Sequence, residues 1–159
     1  MQIEHEYGVP PRQVLDVLTD AEFLRARGER FGAPAPSTVE RAATGAIVTT
    51  PRQIPLGEVP SAFRRYVGDG QLLQTDTFNE VSDERVGGIW VTDAGSAPVT
   101  MQGTHSITAA GGGSRYVVTA DVKVSVPFVG GMLAGEVTKF LGKLVRKEQE
   151  FLAEWLAAR

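Results

Sequence analysis

The chain has no cysteine among its 159 residues, which excludes disulfides, thiolate metal sites and a cysteine nucleophile. It has only two histidines, His5 and His105, and they lack the local spacing of a zinc motif. No apolar run approaches the ~20 residues needed to span a bilayer. Neither sign of charge dominates: 16 Lys and Arg stand against 19 Asp and Glu, a net of −3. Nothing therefore drives the chain as a whole toward nucleic acid or an anionic surface. The opening Met1-Gln2-Ile3-Glu4-His5-Glu6-Tyr7 is acidic and alternating, unlike a secretory signal. These absences point to one cytoplasmic domain over residues 1–159 with no cofactor, metal or nucleic-acid partner. They leave room for transient contact with a membrane surface.

What is present is a strongly patterned chain. Ile3, His5 and Tyr7 alternate with polar residues, as in a half-buried strand. Pro10-Pro11 ends it, and Pro11 suits a first helical position, where an amide would be unpaired anyway. Val14, Leu15, Val17 and Leu18 form the stripe of a short helix. Thr19-Asp20-Ala21-Glu22 reads as a capping box for a second short helix through Phe23 and Leu24, closed by Gly28, Gly32, Pro34 and Pro36. From Ser37 the pattern turns to strands, at 39–43 and 46–54 about Gly45. Pro51, Pro55 and Pro60 put the end of the second at an edge or outside the sheet. Residues 61–66 read as one helical turn. Four longer strands follow at 71–81, 85–92, 99–108 and 115–126. Short polar and glycine-rich turns join them, so neighbours are antiparallel. Gly87, Gly88 and Gly103 inside these strands mark bulges or bends in a curved sheet.

After Val126-Pro127-Phe128-Val129-Gly130-Gly131, the segment 132–158 contains no proline. Leu133, Val137, Phe140, Leu141, Leu144, Val145, Phe151, Leu152, Trp155 and Leu156 share one helical face, opposite charged residues. Such a helix is about 40 Å long. A curved sheet gripping it tends to leave a cavity between the two.

The motif Tyr7-Gly8-Val9-Pro10-Pro11-Arg12-Gln13-Val14, with Leu18-Thr19-Asp20, resembles the opening of the START-like, or SRPBCC, superfamily. That superfamily includes birch-pollen-allergen-like proteins and polyketide cyclases. Val126-Pro127-Phe128-Val129-Gly130-Gly131 before the helix, and Glu148-Gln149-Glu150-Phe151 with Trp155-Leu156 near its end, resemble one branch of it, a domain-of-unknown-function family. The resemblance covers essentially the whole chain. It implies an α+β helix-grip fold: a curved antiparallel sheet around a long C-terminal helix, with two short helices after the first strand. It also implies a single domain that binds lipids, sterols, polyketides or other apolar molecules, although some members are enzymes and others are protein partners.

Glu148 projects from the apolar face near Val137, Leu144 and Trp155. A carboxylate there is a cavity acid, the partner of an inward arginine, or the mark of a helix end that has left the sheet. His5 and His105 both face inward by alternation, as core residues or as ligand contacts; His105, two residues from Gly103, is the better candidate. His5, His105 and Glu148 would form an acid/base set only if they converged on a bound molecule. Tyr7, Phe78, Trp90, Tyr116, Phe140 and Trp155 are either core or the wall for a flat ligand. Leu133, Val137 and Phe140, in the first half of the helix, and Met101 are further cavity candidates. Gly131, Gly135 and Gly142 lie near one side of that helix, for close approach or a mobile entrance. Arg12, Arg25, Arg27, Arg30, Arg64 and Arg65 read as a solvated surface.

The leading expectation is a carrier of a small apolar or amphipathic molecule, lipid-like or polyketide-like. His5, Tyr7, Phe78, Trp90, Met101, His105, Leu133, Val137, Phe140 and Glu148 are its candidate contacts. The alternatives are a cyclase or hydrolase with His105 or Glu148 as general acid/base, and an interaction module with a filled interior.

Overall fold

Alternation over the first residues becomes strand β1 (Gln2–Tyr7), with Ile3 and Tyr7 buried. The computed structural model describes residues 1–159, the side chain of Ala62 excepted. Helix α1 (Pro11–Leu18) starts at Pro11 and buries Val14, Leu15, Val17 and Leu18. Helix α2 (Ala21–Phe31) is capped by Asp20, whose carboxylate accepts from the Phe23 amide at 2.9 Å. The cap therefore falls one residue later than the Thr19–Glu22 box implies. Thr19 is already committed to α1, its hydroxyl donating to the Leu15 carbonyl at 2.9 Å, and a carboxylate suits the positive end of a helix. Gly28 does not end α2 either. The helix runs on to Phe31, and Gly32 closes it at φ 70°, a left-handed conformation open to glycine.

The strands that follow are β2 (Thr38–Ala42), β3 (Gly45–Gln53), β4 (Gln71–Val81), β5 (Arg85–Asp93), β6 (Val99–Ala110), β7 (Gly113–Thr119) and β8 (Asp121–Val124). A 3₁₀ turn (Leu56–Glu58) and helix α3 (Ser61–Val67) bridge β3 to β4. All pairings are antiparallel, in the order β1-β7-β6-β5-β4-β3-β2, with β8 also on β6. Pro51 pairs with Leu73 beyond the last β2 pair, Thr38 with Thr49, so its missing amide lies on an open edge. Opposite Gly87 and Gly88 the register shifts between Phe78 and Glu80, a bulge that bends the sheet.

The final strand expected at 115–126 is divided. Both halves keep one register on β6 (His105 with Val118, Gln102 with Asp121), but the ladder opens between them. There the Trp90 indole donates to the Thr119 carbonyl at 2.9 Å, and the Ala120 amide donates to the Met1 carbonyl at 2.9 Å. Gly103 makes this approach feasible, since a Cβ there would lie 1.8 Å from the Thr119 oxygen. Inward alternation survives the break, with Tyr116, Val118, Ala120 and Val126 all buried.

Helix α4 (Gly130–Ala157) has 28 residues, about 42 Å of helix. Its second half is held tightly. Leu152 is 1% exposed, Phe151 stacks on Phe23 at 5.6 Å, and Trp155 meets Phe23 edge-on at 5.6 Å. Gly142 is buried against the Met1 sulfur, whereas Gly131 and Gly135 have open space beside them. The first half is looser: Leu133 is buried, but Phe140 and Met132 reach solvent. The core therefore sits at one end, under α1, α2 and the end of α4. At the other end helix and sheet stand apart. Among the described residues no helix is long and apolar enough to cross a membrane.

Candidate functional site

The space between the first half of α4, the Leu56–Glu58 turn, α3 and the sheet is a cavity of about 600 Å³. Its wall is largely apolar: Phe31, Ile54, Val59, Leu72, Trp90, Val99, Met101, Leu133, Val137 and Phe140. Lys139, Lys143 and Lys147 of α4 lie along it with Glu136 and Glu58. Deeper in, a chamber of about 70 Å³ shares Arg27, Arg52, Gln74, Trp90, Leu141 and Leu144 with the large cavity. Phe78, Asp76, His105, Tyr116, Glu148 and Gln149 also line it, with apolar side chains of α1, α2, the sheet and α4.

One hydrogen-bonded chain crosses this chamber. Arg52 donates through Nη1 to Glu148 Oε1 and through Nη2 to Oε2, the latter at 3.2 Å. Arg52 Nε donates to Gln74 Oε1 at 3.1 Å, and Gln74 Nε2 donates to Asp76 Oδ1 and Oδ2 at 2.8 and 3.0 Å. Asp76 Oδ1 lies 2.8 Å from His105 Nε2, and the Tyr116 hydroxyl lies 2.8 Å from His105 Nδ1. An ionised Asp76 only accepts, so the His105 proton sits on Nε2 and Nδ1 takes the tyrosine proton. Each donor in the chain then meets an acceptor.

Burial alone would raise the Asp76 and Glu148 carboxyls. The hydrogen bond from His105, with the Arg27 charge and the Gln74 hydrogen bond, outweighs it for Asp76, and the Arg52 and Arg27 charges outweigh it for Glu148, so both lie below the usual carboxylate range. Burial, reinforced by Asp76, pushes the Tyr116 hydroxyl well up. Burial likewise lowers the Arg27 guanidinium from its ordinary value.

Of the residues singled out in the sequence, Phe78, His105 and Glu148 line the inner chamber, Met101, Leu133, Val137 and Phe140 line the large cavity, and Trp90 lines both. His5 and Tyr7 line neither. The Tyr7 hydroxyl donates to the Gln149 carbonyl at 3.1 Å, and the His5 ring packs on Tyr7 at 4.8 Å. They face inward as expected, but where the helix has already closed on the sheet. The set of His5, His105 and Glu148 therefore does not converge. Trp155 belongs to the Phe23 cluster, not to the wall.

Arg27 corrects the reading of a solvated arginine surface, being only 8% exposed. It donates to the Thr50 hydroxyl at 2.9 Å and lies 6.0 Å from the Phe23 ring centre. Arg52, Gln74 and Asp76 went unremarked in the sequence, and Gln149 figured only in the motif near the helix end. A parity signal existed, since Gln74 and Asp76 alternate inward with Phe78, and Arg52 with Val48 and Thr50.

A family model described as "Protein of unknown function (DUF2505)" matches residues 2–156. No curated protein matches the chain in sequence. A solved structure from Thermus thermophilus is similar at TM-score 0.66 and 19% identity, over 99% of this chain and 97% of its own. Ara h 8.0201 is similar at TM-score 0.61 and 10% identity, over 100% and 97%. A START superfamily protein from Mycobacterium smegmatis gives 0.56 and 13%, over 98% and 97%. At these identities the likeness speaks for architecture, and it agrees with the curved sheet and gripped helix described above. The chain belongs to the DUF2505 family and carries the START-like, helix-grip fold.

Proposed function

We propose that the protein binds and carries a small apolar or amphipathic molecule in the space between α4 and the sheet. The observation that carries this reading is the cavity of about 600 Å³ with its apolar wall, within the ~300–1,000 Å³ range of small-molecule sites. Burying ligand surface there contributes ~25 cal/mol per Å², and polar groups of the inner chamber fix its orientation. The open interior speaks against an interaction module with a packed core. The basic atoms of the two acid/base candidates are engaged: both His105 nitrogens have partners, and Glu148 is forked onto Arg52. This supports carriage over acid/base catalysis.

Titration with phenylnaphthylamine, a neutral fluorescent probe, tests the reading. Saturable enhancement at one probe per chain is expected. Fluorescence that rises linearly without saturation contradicts it.

A further inference from the structure

Most of the buried charge in the inner chamber is satisfied from within. Glu148 is held by Arg52, and Asp76 accepts from His105 and Gln74. Arg27 is different. Among the described residues its one hydrogen-bond acceptor is the Thr50 hydroxyl, and no carboxylate pairs with it directly. A guanidinium offers five donors in a planar fork, and this one, 8% exposed, lines both the chamber and the large cavity. A second, independent observation lies in the same chamber. Gln149 is 4% exposed and its side-chain amide nitrogen has no partner. A guanidinium with no carboxylate of its own and an unpartnered amide nitrogen thus both line the inner end of an apolar cavity.

We infer that the chamber seats the acidic headgroup of the carried molecule, an amphipathic monocarboxylate whose carboxylate is held by Arg27 with Gln149 assisting, its tail lying along the large cavity. The inference rests on the carrier reading above. A single charge fits better than a phosphate dianion for three reasons. Only one guanidinium is unpaired. Glu148 and Asp76 lie close enough to influence its charge. The chamber holds only about 70 Å³. The opposite orientation would put the headgroup among Lys139, Lys143 and Lys147 instead, and the test separates the two.

Displacement of phenylnaphthylamine by decanoate, decanol and decyl phosphate is measured on the wild-type chain, on Arg27→Met and on the triple variant Lys139→Met/Lys143→Met/Lys147→Met. A charge-assisted hydrogen bond corresponds to about tenfold or more in affinity. Decanoate is therefore expected to bind about tenfold tighter than decanol. Arg27→Met should erase that preference, so that decanoate and decanol compete equally, and the lysine variant should keep it. Arg27→Lys, which retains the charge but not the fork, should keep part of it. Equal binding of decanoate and decanol, tighter binding of decyl phosphate, or loss of the preference in the lysine variant alone each overturns the headgroup assignment. Retention of the preference in Arg27→Met does so too. If neither the probe nor any of the three binds, the carrier reading itself fails. A cooperative urea transition establishes that Arg27→Met is folded; should it unfold, Gln149→Leu, expected to lose part of the preference, carries the test.

Discussion

Arg52 on β3 grips Glu148 on α4 with both terminal guanidinium nitrogens, although 96 residues separate them in sequence. Their side chains are only 13% and 16% exposed, so the pair joins helix to sheet where solvent screening is weak. Glu148→Gln leaves Arg52 buried without its counter-charge, and a loss of about 3 kcal/mol is expected. Arg52→Met combined with Glu148→Leu should recover most of it. Urea unfolding of the single and double variants measures both. A double variant no more stable than Glu148→Gln would contradict this description of the pair.

Acid should act through the same network. The Asp76 and Glu148 carboxyls lie below their ordinary values in the folded chain. Each therefore contributes stability that is complete above the unfolded carboxylate pKa, near 4, and is lost as pH falls through the lower folded value. The urea midpoint should drop as pH falls below about 5. It should drop less in Asp76→Asn, which has one such group fewer. Equal acid sensitivity in the two proteins would remove Asp76 from the explanation.

Cavity and core respond oppositely to added bulk. Val137 borders open space, so Val137→Trp should fill part of the cavity, weaken phenylnaphthylamine binding about tenfold or more, and change stability by less than ~1.5 kcal/mol. Gly103 has no such space: a Cβ there would stand 1.8 Å from the Thr119 oxygen and 2.6 Å from the Trp90 indole nitrogen. Gly103→Ala should cost about 2 kcal/mol or more by forcing β6 away from β7. Thermal unfolding of the two variants side by side decides the point. A neutral Gly103→Ala would mean that the strand crossing is loose.

Phe128 is fully exposed and sits at φ 67°, in the left-handed region. Phe128→Gly relieves that strain without losing buried surface, so a gain of about 1 kcal/mol in stability is expected. A fall in melting temperature would show that the ring has a packing role.

Much of this architecture was legible because period-two and period-3.6 patterns survive folding. Ile3 and Tyr7, the Tyr116-to-Val126 alternation and the α4 stripe fell on the sides they predicted. The break at Ala120 was not legible, because it depends on Trp90 reaching across from another strand. Alternation gave His5 and Tyr7 the right face, yet it cannot tell how far along a strand the helix stands off, and they fell in the closed end. Glu148 stood out as a carboxylate among apolar neighbours. Its partner did not, since Arg52 follows Pro51 at a strand end that reads as an edge. Arg27 was misread for a simpler reason: one turn after Phe23 it shares the buried side of α2, but its charge suggested water.

The most direct measurement is native mass spectrometry of the wild-type chain and Val137→Trp, both purified gently from the protein's own cells. A reproducible small-molecule adduct on the wild type, absent or much reduced in Val137→Trp, is the predicted result. A bare chain mass in every wild-type preparation, or an adduct equally abundant in both, would contradict the claim that the space beneath α4 holds a ligand.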